Sequence, residues 1–162
     1  MPFLRASNLE LRTYKRGFTL LEMLLALGIL AIISVISVTS LSSANKDKAL
    51  AIEADKVVSL ITKARSLTLE AKDGSVYGVH FEETKAVLFK GSSYSAGAST
   101  NQSQGLNGVV KISAISLSGG GAEVVFKKLT GAATQTGTVR LSLASNVNAS
   151  TTITIAATGT AY

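Results

Sequence analysis

The chain has no cysteine and no tryptophan, and only one histidine (His80) and one proline (Pro2) in 162 residues. Without cysteine there is neither a disulfide framework nor a thiolate metal site, so stability outside the cell must come from packing and hydrogen bonds. A lone histidine removes most routes to zinc and to histidine-based nucleophilic catalysis. No enzymatic centre, metal or cofactor is expected, and a length that holds one modest domain with accessory segments excludes a large multidomain enzyme. Acids are also scarce, 10 Asp and Glu against 16 Lys and Arg. Four of those basic residues (Arg5, Arg12, Lys15, Arg16) and one acid (Glu10) precede Gly17, leaving 12 against 9 in the rest. The positive excess is therefore partly a property of an N-terminal leader, and it argues only weakly for nucleic acid or a membrane surface as partner of the remainder.

What is present in quantity is apolar sequence. Phe18 to Val38 is a run of 21 residues with a single charge, Glu22. As a helix it is roughly 30 Å long, the thickness of a bilayer's hydrocarbon core. Basic residues crowd its N-terminal flank, whereas Ser40 to Asp47 is serine-rich and nearly neutral, so the positive-inside bias puts the N-terminus in the cytoplasm.

Three readings compete for this block. A secretory signal peptide would end at Ser42-Ser43-Ala44 before Asn45, but its apolar core is usually about 7 to 15 residues. A plain signal anchor fits the length and gives no reason for a carboxylate five residues into the span. The third reading has a peptidase cut after Gly17, where the missing Cβ lets the backbone enter an active site closely. The new amine of Phe18 would then lie one helical turn from Glu22, and the carboxylate of one subunit would meet the amine of a staggered neighbour. Low dielectric strengthens such a pair and penalises a wrong register.

Lys15-Arg16-Gly17-Phe18-Thr19-Leu20-Leu21-Glu22-Met23-Leu24 resembles the processing and assembly motif of type IV prepilins and type II secretion pseudopilins. The resemblance implies that a membrane aspartyl prepilin peptidase cuts between Gly17 and Phe18 and methylates the Phe18 amine. It implies that Glu22 guides incorporation into a filament. The implied partners are homologous pilin or pseudopilin subunits through the N-terminal helix, the peptidase, an inner-membrane assembly platform, and membrane lipid before assembly. The implied location is the inner membrane, single-pass, and then an extracellular or periplasmic filament. One departure is the missing helix-kinking proline near the outer end of the span. It leaves either a straighter helix or one that melts elsewhere, for example at Ser34 to Ser43.

Beyond Ala44, Leu50, Ala54, Val57, Val58, Ile61, Ala64, Leu67 and Ala71 follow helical spacing with charged residues between them. This half is expected to continue the first as one helix of about 50 residues, ended by Asp73-Gly74. After Gly74 the period changes to two, predicting strands over 76–82, 85–90, 109–117, 123–128, 138–144 and 151–156. The turn Glu82-Glu83-Thr84 joins the first two as a hairpin. The expected class is α+β: a long N-terminal helix, membrane-spanning in its first half and amphipathic in its second, packed against a small antiparallel sheet. The expected segments are 1–17 leader, 18–43 membrane and filament-core helix, 44–73 amphipathic continuation and 74–162 β-rich domain. The lollipop shape this gives resembles pilins. Val124-Val125-Phe126, Gly131, Thr138-Val139-Arg140-Leu141 and Thr152-Ile153-Thr154-Ile155 before Gly159 resemble H-type pseudopilins and FimT-like minor pilins.

The 18 residues from Gly91 to Gly108 read as an exposed Ser, Gly, Asn and Gln-rich connection or a variable binding loop. His80 alternates away from Tyr77, Val79 and Phe81, towards solvent or the helix, with no visible catalytic partner. Gly119-Gly120-Gly121 reads as a turn, since no helix start with Lys and Ser or Thr follows it. Lys127-Lys128 with Lys90 and Lys111 are the sole hint of a DNA-phosphate contact, otherwise unsupported. Asn101-Gln-Ser103 and Asn148-Ala-Ser150 fit the short glycosylation pattern. The structural subunit of a pilus-like or pseudopilus filament is the reading that joins these features. The alternative is a secreted or membrane-anchored β-domain binding module with a simple signal peptide or anchor.

Overall fold

The structure, a computed structural model, describes residues 17–162, except for the side chains of 35–44. They form α1 (Leu20–Leu69), a 3-10 turn at Lys72–Gly74, and seven strands: β1 (Tyr77–Glu82), β2 (Lys85–Lys90), β3 (Gln102–Gly105), β4 (Val110–Leu117), β5 (Glu123–Val125), β6 (Gly137–Leu143) and β7 (Asn146–Ile155). The class is α+β, and the chain divides into two compact units that part between Ser40 and Leu41.

In the first unit the described residues are helical from Leu20 onward, and their large apolar side chains are exposed. Every large apolar side chain from Phe18 to Ile33 is at least 51% exposed. Ser34 donates its Oγ to the Leu30 carbonyl at 2.7 Å, so a hydroxyl in this apolar stretch is satisfied within its own helix. The backbone stays helical through Ser34–Ser43 and does not melt there. Among the described residues no helix is long and apolar enough to cross a membrane. The expected span runs into 35–38, whose side chains lie outside the described set, as do all of residues 1–16.

In the second unit the stripe Leu50, Val57, Leu60, Ile61 and Ala64 is buried in a core shared with two antiparallel sheets, ordered β3-β2-β1-β5 and β4-β6-β7. A single small sheet was the expectation. The strands divide because the β1–β2 turn reaches β4 through the Ile112 N–H and Glu83 carbonyl (2.9 Å) instead of extending a ladder. Val79 and Phe81 of β1, Ala86 and Leu88 of β2, Val139 and Leu141 of β6, and Ile153 and Ile155 of β7 fill the core. Each of these side chains except Ala86 contributes about 1.5 to 3 kcal/mol of transfer free energy.

The expected helix end moves. α1 stops at Leu69, ahead of Asp73-Gly74, because Ala71 takes a left-handed φ of 49° and its N–H turns back to the Thr68 carbonyl at 3.1 Å. Buried Thr68 then holds the junction. Its Oγ1 donates to the Ala64 carbonyl (2.9 Å) and accepts the Tyr77 N–H (2.9 Å), tying the last helical turn to the start of β1. β5 stops at Val125, since Phe126 pairs with Ala133 in an isolated bridge as the chain turns. β7 begins five residues earlier than expected, at Asn146, in a hairpin with β6.

The span 91–108 is more than a connection. It holds β3, the edge of the four-stranded sheet, paired to β2 with Lys85 opposite Gly105 and Leu88 opposite Gln102. Its first half folds over the sheet face away from the core, so Val87 and Phe89, pointing opposite to Ala86 and Leu88, are buried too. Phe89 lies across Gly78, where a Cβ would come within 2.6 Å of its ring.

Candidate functional site

Gly17, Phe18 and Thr19 are non-helical and exposed, and Leu20 is the first helical residue. Thr19 is the N-cap: its Oγ1 accepts the Glu22 N–H at 3.2 Å and its carbonyl accepts the Met23 N–H at 3.2 Å. In the uncut chain Phe18 therefore precedes the cap, while Glu22 sits in the first helical turn. The reason is local, because a threonine three residues before a glutamate satisfies an orphan N–H and stops the helix there. Its signal, Thr19-x-x-Glu22, was in the sequence and unread.

This arrangement leaves the Gly17–Phe18 bond outside the helix. Among the described residues a Cβ on Gly17 would meet nothing within 4 Å, and Phe18 is 79% exposed. Glu22 is exposed at the third helical position, where a carboxylate meets the positive end of the helix macrodipole. Lys15 and Arg16 lie outside the described residues. The site as described is thus an exposed non-helical segment, a cap, a carboxylate in the first turn and an exposed apolar helix behind them.

The other candidates resolve differently. His80 does face away from the core, as alternation requires, yet it meets neither open solvent nor α1. Tyr94, from the segment after β2, stacks on its ring with centroids 4.0 Å apart. The Tyr94 N–H donates to Glu123 Oε2 (3.1 Å) and its hydroxyl to Glu82 Oε1 (3.2 Å), while Glu123 Oε2 lies 3.8 Å from His80 Nδ1. The lysines do not form one patch. Lys90 pairs with Asp73 (3.3 Å) and Lys128 donates to the Gly74 carbonyl, whereas Lys111 pairs with Glu83 at the β1–β2 turn. Lys90 lies opposite Tyr77, at the other end of the hairpin, so the set is split and two members are neutralised. The Lys90 hydrogen bond and charge, with the Tyr77 hydroxyl, hold the Asp73 carboxyl below its ordinary value, and burial followed by Asp73 raises the Tyr77 phenol.

Gly119 and Gly120 form the expected turn with φ of 97° and 75°. The Asn101 amide donates to the Ser95 carbonyl at 2.7 Å, so it is engaged in holding its own segment, while Asn148 is exposed on β7.

Residues 12–38 match the model of the prokaryotic N-terminal methylation motif, the signature of type IV pilins and pseudopilins. No curated protein and no solved structure matches the chain.

Proposed function

We propose that this chain is the precursor of a structural, non-enzymatic subunit of a type IV pilus-like or type II secretion pseudopilus filament. A prepilin peptidase cuts between Gly17 and Phe18 and methylates the new amine. The N-terminal helix first sits in the inner membrane and then, through an assembly platform, in the filament core. The observation that supports this reading is the coincidence of the methylation motif at 12–38 with a helix whose large apolar residues from Phe18 to Ile33 are exposed among the described residues. Lipid solvates such a surface before assembly, and neighbouring helices bury it afterwards. Once leader removal frees the Phe18 amine, Glu22 of an adjacent subunit neutralises it and selects the register. The second unit, with its own core, is the surface domain.

N-terminal sequencing of the mature protein is the test. A methylated Phe18 start is expected. A start near Asn45, or an uncut Met1, overturns the filament reading in favour of a secreted or anchored β-domain.

A further inference from the structure

Between β5 and β6 the chain makes a tight turn with an unusual tip. Leu129 is 95% exposed and has a left-handed φ of 68°. An exposed leucine is ordinary, and a left-handed leucine is not, since glycine or asparagine would take that conformation with less strain. The turn is fixed in place: the Lys127 N–H bonds the Ala132 carbonyl and the Gly131 N–H the Lys127 carbonyl, both at 2.9 Å. Arg65 Nε of α1 holds the Gly131 carbonyl at 3.1 Å. A rigid support thus projects an apolar knob, with the exposed ammonium of Lys127 beside it making no ion pair or side-chain hydrogen bond among the described residues.

A complementary groove of ≈ 480 Å³ runs between α1 and β3, lined by Ile52, Asp55, Lys56, Leu60, Lys63 and Gln104 among others. Ile52 is 54% exposed and offers apolar surface. Its two lysines are engaged, Lys56 with Glu53 (2.8 Å) and Lys63 with Gln102 (2.8 Å), which leaves the exposed carboxylate of Asp55 without a partner among the described residues. At 100° and 1.5 Å per residue, the Arg65–Leu69 support and the groove lie about 130° apart around α1 and about 14 Å apart along it. Knob and groove therefore sit on different sides of α1. A contact between them on two copies, made head-to-tail, is the type that propagates into an open helical array.

We infer that Leu129 of one copy seats in the Ile52–Leu60 groove of a second copy, with Lys127 paired to its Asp55. This rests on the filament reading and gives it a specific contact between surface domains. The chain has no cysteine, so Leu129→Cys with Ile52→Cys in the full chain, expressed in its own cells, gives an uncluttered test. The expected product is a ladder of disulfide-linked copies in sheared filaments. Single cysteines should give none. Lys127→Asp or Asp55→Lys alone should lower the ladder yield about fivefold, the factor expected of an exposed pair at the upper end of its range, and the two together should restore it. Filaments that contain the chain but yield no ladder, or a charge swap no better than its single changes, overturn the contact and leave the proposed function standing. A Leu129→Cys adduct whose mass is that of another protein overturns it in favour of a different subunit. If the chain is correctly exported yet never found in filaments, both inferences fall.

Discussion

The ring of Tyr94 lies almost flat on that of His80, with the planes 10° from parallel. The same tyrosine meets Phe89 edge-on at 5.7 Å and bonds both Glu82 and Glu123. The ring contacts and the hydroxyl bond to Glu82, with the backbone N–H bond to Glu123 beside them, therefore hold the segment after β2 against the outer face of the sheet. Tyr94→Ala should cost about 1 kcal/mol of stability and speed amide exchange across 92–101, and Tyr94→Phe should keep most of the protection. Unchanged exchange in Tyr94→Ala would refute this role.

The stability supplied by Asp73 at the junction of helix and sheet should depend on pH. The Asp73 carboxyl is lowered by its hydrogen bond to Lys90, then by that residue's charge and the Tyr77 hydroxyl. A carboxyl lowered in the folded state adds stability above its unfolded pKa of about 3.9, and the gain is lost as pH falls through the lower folded value. Asp73→Asn suits the left-handed backbone there (φ 51°). Its Tm should lie below that of the parent at neutral pH, and the two should converge as pH falls below the ordinary carboxylate range. Parallel Tm curves over that range would contradict the assignment.

Gly78 is expected to tolerate no side chain. A Cβ there would sit 2.6 Å from both the Phe89 ring and the Val124 carbonyl, and the second cannot rotate away. Gly78→Ala should destabilise the domain by about 1 to 3 kcal/mol, measured by denaturant unfolding. A variant as stable as the parent would mean that β1 and β5 move apart without cost.

The cap at Thr19 predicts a local effect. Thr19→Val removes the acceptor of the Glu22 N–H and should cost the first turn of α1 about 1 kcal/mol, read as faster amide exchange at Leu21 and Glu22 in micelles. Equal exchange rates would show that the turn does not need its cap.

Among the described residues nothing lies within 4 Å of a Cβ on Gly17, so the fold described sets no limit on size there. On the proposed function, a loss of cleavage on substitution reports the fit to the peptidase. Gly17→Ala should be processed, and Gly17→Glu should accumulate as precursor on a gel. Equal processing of both would count against the proposed peptidase.

Much of the fold was legible because periodicity reports burial. The switch from helical spacing to alternation after Gly74, and the β1–β2 hairpin, follow from which residues must face the core. β3 was illegible for the same reason: Gln102-Ser103-Gln104-Gly105 buries none of its residues, and its place comes entirely from backbone pairing with β2. Tyr94 gave no signal either, since one aromatic in a Ser and Gly-rich stretch does not say what it will cover. The methylation motif was readable because it is a local pattern of residue types. The Thr19 cap, equally local, required asking which backbone N–H groups lack partners at the helix start.

The two sheets have four outer edges, and each is blunted. β3 is four residues of Gln, Ser and Gly, while β5 is three residues long, with its Val125 backbone bonded by Thr134 and Gln135. β4 breaks its register between Ile112 and Ala114, and the end of β7 exchanges two hydrogen bonds with Tyr162. Domains with open edges, crowded at high local concentration, stitch together strand to strand into amyloid-like aggregates. These edges protect the domain from that fate, so many copies can stand side by side and remain separate.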